Sequence, residues 1–408
     1  MLQQKQTQSG FSLVEIMVAL VIGMLGVVVI LQVFSAFETQ RRTTSGGDDA
    51  ISGGSIALHL LQRDIQHAGW GMSAVNVQAC NITGLTEPAG SSMLLAPVLI
   101  NPRNSAGALI IPAGDANTDT LVVVSGNGGV VEGDTIRSDS GGAVGPVVQN
   151  SYVVNGVSGF KKDDLVVAAP QQRTQDDCNL KAVKVTEEVT ASMRKVKVSA
   201  VAPFTVKTND RLFNLGRTPA VRVYAIRDGN LTVCNWREKD CTSTTEANNR
   251  SVWTPVASNI VSLRAQYGRD TTPERMDGKV DTWDKTLPTT GISSNPNRDI
   301  PACGVMRTSA VRLVLVARSS QPEKTDDWPT LTKHVSSPVA TWTDLSWMAL
   351  ENDSGALLGT ATAAATAVAI KLPSPDASWP TWQDFRYKVF QTVVPLRNFN
   401  QQGAVEEC

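Results

Sequence analysis

The feature that most limits how this chain can fold is a run with no polar side chain, from Ile16 to Leu31. Its apolar character continues, interrupted by Gln32 and Ser35, as far as Phe37. Phe11–Phe37 is 27 residues, about 40 Å as a helix at about 1.5 Å per residue. A hydrocarbon core is about 30 Å thick, so the segment can cross a bilayer with some tilt or overhang. A secretory signal peptide has an apolar core of only about 7–15 residues with a small-residue cleavage site beyond it. Here the small residue at a boundary, Gly10, lies before the run. The segment reads as a retained membrane helix.

Glu15 is the one ionisable side chain inside that block. A carboxylate at the centre of a bilayer costs about 2.5–3.5 kcal/mol, less near an end, and such groups are functional candidates by default. The bland alternative is that its head reaches water at the membrane surface. The neighbourhood shifts the balance: Gly10, then Phe11, then Glu15 four residues later, then the apolar block.

Gly10-Phe11-Ser12-Leu13-Val14-Glu15 resembles the processing site of type IV prepilins, in which a short polar leader ends in Gly and the mature chain begins with Phe. The resemblance implies that a prepilin peptidase cuts between Gly10 and Phe11, removes residues 1–10 and methylates the new amino terminus at Phe11. It also implies that Glu15 pairs with the free α-amino group of a neighbouring subunit when helices bundle in a filament. Opposite charges about 4 Å apart at an effective dielectric near 20 attract by about 4 kcal/mol before desolvation. Removing one would strand the other in an apolar setting.

Length and composition agree with an anchored envelope protein. The 408 residues leave room for two folded lobes beyond the helix. Charged residues make up 18% and the formal net charge is −1, so no bulk electrostatic attraction points to nucleic acid. All six cysteines, Cys80, Cys178, Cys234, Cys241, Cys303 and Cys408, follow the apolar segment. An even number there suits an oxidising periplasm, although buried free thiols are the alternative. Only Cys234 and Cys241 are close enough in sequence to suggest a local disulfide loop. Counting basic residues beside the membrane does not decide orientation, because Lys5 and the amino terminus face Arg41 and Arg42. The cysteines and the prepilin-like motif place the large domain outside the cytoplasm.

From Glu38 to about Ala68 the helix is expected to continue. Ala57, Leu61, Ile65 and Ala68 recur at three- and four-residue steps and form one apolar stripe. Gly46-Gly47 and Gly53-Gly54 interrupt it, each Gly costing about 1 kcal/mol relative to Ala. That stretch is expected to be a weak, melted part of the helix. His59 and His67 lie two turns apart without a Cys or carboxylate at metal-ligand spacing and read as solvated. Gly69-Trp70-Gly71 is expected to end the helix.

Beyond residue 71 the pattern changes to short β runs. Strands are expected at 120–125, 164–169, 181–186, 194–200, 221–226, 230–235, 260–267, 310–318 and 387–394. Lys195 and Lys197 share one strand face and, without interleaved aromatics, read as solvated rather than as a phosphate-backbone contact. The Gly-rich 126–145 stretch reads as a hairpin loop or connection. Residues 270–301 read as loop; Asp270, Asp277 and Asp281 lack the spacing of a calcium loop, so no metal is expected. A short helix is expected at 343–351, and 356–370 is left between a helix and a low-complexity insertion. Trp328, Trp342, Trp347, Trp379 and Trp382 read as core around the final strand.

Three stretches are similar to PilW-type minor pilins: Leu58–Gly71; Val261–Gly268 with Asp277–Asp281; and Arg386–Val393 with Leu396-Arg397-Asn398. The implied fold class is α+β. A long N-terminal pilin helix (11–70, membrane-spanning over about 11–37) packs on a large antiparallel β-rich periplasmic domain (71–408). The implied role is a minor pilin in the inner membrane that helps to prime type IV pilus assembly and ends near the tip. Its partners would be the prepilin peptidase, other minor pilins, the major pilin and a tip adhesin. A minor pseudopilin of type II secretion shares the helix and the Glu and is the nearest alternative. A membrane-anchored adhesin or DNA-binding envelope protein is another. The chain has no P-loop, G-x-S-x-G, H-E-x-x-H or C-x-x-C motif, and His334 is the only histidine in the β region. No catalytic site and no cofactor are expected.

Overall fold

A computed structural model describes residues 12–128, 133–138, 146–171, 178–189, 194–273, 276–293, 300–321, 348–351, 368–371, 385 and 387–400. One helix, Leu13–His67, runs unbroken for 55 residues, about 80 Å. Its first half stands free and its second half lies against β-sheets. The four glycines do not melt it: 46–47 and 53–54 are helical. Their propensity cost is offset by the close approach they permit, described below. The helix stops where the chain turns to positive φ at Gly69 (80°) and Gly71 (77°), conformations open to glycine.

The helix is cradled by a four-stranded antiparallel sheet in the order Thr282–Asp284, Ile260–Arg269, Thr308–Arg318, Tyr387–Pro395. Beside it lies a five-stranded antiparallel sheet in the order Thr254–Ser258, Asn230–Asn235, Ala220–Arg227, Leu121–Ser125, Val98–Ile100. The chain passes from the second sheet to the first at Asn259, in a left-handed conformation. Period-two alternation directs Leu263, Ala265, Tyr267, Val311, Leu313 and Leu315 into a core shared with Ala57, Leu61 and Ile65 of the helix. Asp119 fastens the two sheets: it accepts Arg264 Nη1 at 2.7 Å, the Ala265 amide at 3.0 Å and Asn101 Nδ2 at 2.8 Å.

A six-stranded sheet adds a second core. Its order is Ser92–Leu94, Asn81–Thr83, Asn179–Lys184, Leu165–Ala169, Arg211–Gly216, Asp134–Thr135. Along Leu165–Ala169 the odd residues Leu165, Val167 and Ala169 face the first core, and Val166 and Ala168 face the second. The second core is closed by Tyr152 and Val196 of a three-stranded sheet. The β region is therefore mostly antiparallel, with parallel pairings at Asn81–Thr83/Asn179–Lys184 and Met348–Glu351/Val368–Lys371. The Cys80–Cys178 disulfide ties together the chain at the start of the first of these pairs.

All nine expected strands are present, with ends shifted by up to three residues. The helix expected at 343–351 is corrected over its described part: Met348–Glu351 is a strand held by pairing with Val368–Lys371. Residues 322–347, with His334 and three of the five clustered tryptophans, lie outside the described residues, as do Trp379 and Trp382. The described residues of 270–301 are loop except for the Thr282–Asp284 strand and the start of a short helix, Pro301–Met306. Asp270 accepts the Thr272 and Gly278 amides and Asp281 accepts the Thr271 amide, so these carboxylates organise the loop itself. The strand lysines are matched locally: Lys197 Nζ is 2.5 Å from Glu187, and Lys184 Nζ is 2.8 Å from Asp163.

Candidate functional site

The arrangement with functional content is the long helix, one part presented to its surroundings and the other seated on protein. Ser12, in extended conformation, starts it, and its carbonyl accepts the Glu15 amide at 3.0 Å and the Ile16 amide at 3.2 Å. Leu13–Ser35, 23 residues, is long and apolar enough to cross a membrane, and none of it is buried against the rest of the chain. Leu13, Leu20, Met24 and Ile30 are each about two-thirds exposed or more. In water such a surface would cost about 25 cal/mol per Å² of apolar area. It requires lipid or other helices around it. Glu15 stands in the first turn of this surface and is exposed. Gly10 and Phe11 lie outside the described residues.

The second half is buried along one stripe: Gly46, Ala50, Gly54, Ala57, Leu61, Asp64, Ile65 and Ala68. Steps of three and four keep these positions on one helical face. Small residues at its lower end let strands approach the helix axis. A Cβ on Gly46 would meet Ser319 Cβ at 3.2 Å, one on Gly53 the Ser258 carbonyl at 3.1 Å, and one on Gly54 would enter the Phe390 ring. Farther up, Gln62 Nε2 donates to Thr392 Oγ1 at 2.6 Å.

The polar exception on the stripe is Asp64, which is 6% exposed. Tyr224 Oη donates to Asp64 Oδ2 at 2.5 Å and Arg222 Nη1 lies 2.5 Å from the same atom. Arg63 Nε is 3.3 Å from Oδ1. Burial raises the Asp64 pKa, but the Tyr224 hydroxyl, the Arg222 guanidinium and Arg63 outweigh it, and the carboxyl sits below its ordinary value. Burial and the neighbouring carboxylate push the Tyr224 hydroxyl well up, so it remains a donor.

The helix end is closed by backbone. The Gly69 amide donates to the Val124 carbonyl at 2.9 Å, the Gly126 amide donates to the Trp70 carbonyl at 2.9 Å, and Trp70 Nε1 donates to the Gly128 carbonyl at 2.9 Å. Asn398 then caps two of the carbonyls that a helix leaves open: its Nδ2 donates to Gln66 at 3.3 Å and to Ala68 at 3.1 Å. His59 and His67 are exposed, and His67 Nδ1 donates to the Arg63 carbonyl at 2.8 Å.

Cys234 and Cys241 are joined, with Cα atoms 6.0 Å apart, at the end of one strand of the five-stranded sheet. Cys303 is disulfide-bonded as well, and Cys408 lies outside the described residues. The bonded pair and Glu15 belong to different parts of the molecule. Asp64 was legible as an acid in phase with Leu61 and Ala68. Its partners, and the contacts of Gly54 and Asn398, had no local signal.

Two family models match the chain. The one described as the prokaryotic N-terminal methylation motif matches residues 5–31, the free half of the helix and what precedes it. The one described as Type IV Pilus-assembly protein W matches residues 223–398. Together the two matches support a type IV prepilin-like protein of the PilW type. No curated protein and no solved structure matches it. The PilW match begins inside the Ala220–Arg227 strand and runs through the whole four-stranded sheet to Asn398. The part of the domain that is PilW-like is thus the cradle and the cap of the helix. Of the three PilW-like stretches, those from Val261 and from Arg386 fall inside the match, and Leu58–Gly71 falls outside it. The six-stranded sheet and the second core lie outside both matches.

Proposed function

We propose that this PilW-type protein is a minor pilin, a structural subunit of type IV pilus assembly and not an enzyme. The observation that carries the reading is the division of one continuous helix into an unburied apolar half and a half bound to its own β domain. Such a helix can be stored in lipid and then passed into a bundle of other helices, its apolar surface exchanging lipid for protein at little cost. The seated half carries the globular domain with it as a rigid load.

In this reading the prepilin peptidase cuts between Gly10 and Phe11 and the mature chain starts at Phe11, which becomes N-methylated. Residues 11–70 form the assembly helix, and the remainder is a periplasmic domain whose second core makes a satellite lobe. The protein sits in the inner membrane with one span until it enters the filament. Glu15 neutralises the amino terminus of an adjacent subunit, which gives the bundle its axial register. With other minor pilins it primes filament growth and stays near the tip, where its large domain faces the major pilin and a tip adhesin.

The deciding measurement is the intact mass of the protein from envelopes of cells with and without the prepilin peptidase. Loss of residues 1–10 with one added methyl group, only when the peptidase is present, supports the reading. A full-length chain in both strains would sink it. Glu15→Val separates assembly from processing: cleavage should persist while incorporation into pili is lost. Association with secretion machinery in place of pilus machinery would instead identify a pseudopilin.

A further inference from the structure

Where the last helical turn meets the β domain, a cleft of about 400 Å³ opens between Arg63, Asp64 and His67 on the helix and Ser125, Gly126 and Arg222 on two strand ends. Its floor is the buried Asp64 carboxylate and its walls are two guanidiniums, whose side chains are 51% and 43% exposed. Each is tied to the floor through one nitrogen, Arg63 by Nε and Arg222 by Nη1. Among the described residues the other Arg63 nitrogens and the Ser125 hydroxyl make no hydrogen bond, while Arg222 also interacts with the Tyr224 hydroxyl.

Two fixed positive charges around one negative charge leave the cleft with an excess of about one. The Asp64 carboxylate already has Tyr224 and Arg222 as strong partners. Neutralising the floor therefore does not need Arg63. A planar guanidinium anchored at one nitrogen presents its remaining N–H groups as a fork, which fits a carboxylate. Arg63 lies 28 residues beyond Ser35, the end of the span, about 42 Å along the helix. That is beyond the reach of lipid headgroups, whose layers add only about 5–8 Å on each side of the hydrocarbon core.

We propose that this cleft receives an acidic side chain of a neighbouring pilin subunit, gripped by Arg63 and Arg222 with Ser125 as a third donor. The proposal rests on the pilin reading, since it takes the neighbour from the filament or its priming complex. A carboxylate inserted here abuts the seat of the helix. The contact therefore couples subunit docking to the junction between helix and domain.

The test uses the full chain in cell envelopes, with p-benzoylphenylalanine in place of His67 at the rim of the cleft. Illumination should crosslink it to a pilin-class subunit through a peptide containing Asp or Glu. Arg63→Gln should lower the yield by about tenfold or more, as for loss of one charge-assisted hydrogen bond. Arg63→Lys, which keeps the charge, should retain most of it, and thermal unfolding should be alike in both variants. A yield indifferent to Arg63→Gln, a crosslink to lipid, a peptide with no carboxylate, or no crosslink would each overturn the proposal. Intact mass from the same envelopes separates the two levels. A processed, methylated chain with no such crosslink removes this proposal alone, and an unprocessed chain removes the pilin reading with it.

Discussion

Phe390 lies flat on Gly54: the ring of a residue near the C-terminus occupies the space where any side chain on the helix would begin. The fit decides the sign of a substitution that is normally favourable. Gly→Ala in a helix interior gains about 1 kcal/mol. At Gly54 that gain meets overpacking, which costs about 1–3 kcal/mol, so Gly54→Ala should be destabilising. Gly47 has nothing within 4 Å of its Cβ position, and Gly47→Ala should be neutral to stabilising. Thermal unfolding of the full chain in detergent compares them. Equal shifts for both substitutions would show that the ring does not hold the helix.

Asp64 gives the helix seat a pH dependence. Its folded carboxyl lies below the ordinary value, so the ionised form favours the fold. That contribution is complete above the unfolded pKa of about 3.9 and fades as pH falls through the folded value. Asp64→Asn should cost about 1–3 kcal/mol at pH 7, toward the low end because Arg63 and Arg222 are half exposed. The gap between variant and parent should narrow as pH falls below the unfolded value and through the folded one. A gap that stays constant across that range would mean that the carboxylate charge is not what stabilises the junction.

The contrast between these two residues shows what could be read from the chain alone. Strands such as Asn230–Asn235 and Thr308–Arg318 were legible because they are runs of 6 and 11 residues rich in apolar and β-branched side chains. Pieces of two or three residues, such as Asp134–Thr135 and Val147–Val148, are too short to carry a period. The Gly46–Gly54 stretch was misread as weak because propensity counts only local cost. The compensation comes from Ser319, Ser258 and Phe390, hundreds of residues away. Glu15 was conspicuous because nothing else in the apolar block is charged. Arg222 and Tyr224 look like any alternating strand residues until Asp64 is placed beside them.

The two described disulfides should differ in effect. Cys80–Cys178 closes a separation of 98 residues and Cys234–Cys241 one of 7. On the loop-entropy account the first is worth about 5 kcal/mol and the second about 2 kcal/mol. Cys80→Ser with Cys178→Ser should therefore lower stability more than Cys234→Ser with Cys241→Ser. Denaturant unfolding of the two double variants ranks them. The reverse order would mean that the small loop holds native packing that chain entropy does not describe.

Asn398 tests whether the end of the chain secures the end of the helix. Its side-chain amide reaches the Gln66 and Ala68 carbonyls, while the Thr392 hydroxyl accepts from Gln62, four residues before Gln66 on the helix. Asn398→Ala removes both donors and should cost about 1 kcal/mol. The loss should be local, because the Gly69 and Trp70 backbone bonds to the Leu121–Ser125 region remain. Hydrogen exchange should accelerate at the amides of the last helical turn and stay unchanged around Gly54, where packing against Phe390 is untouched. Acceleration along the whole seated half would mean instead that the cap and the cradle unfold as one unit, and that the helix is held from its end.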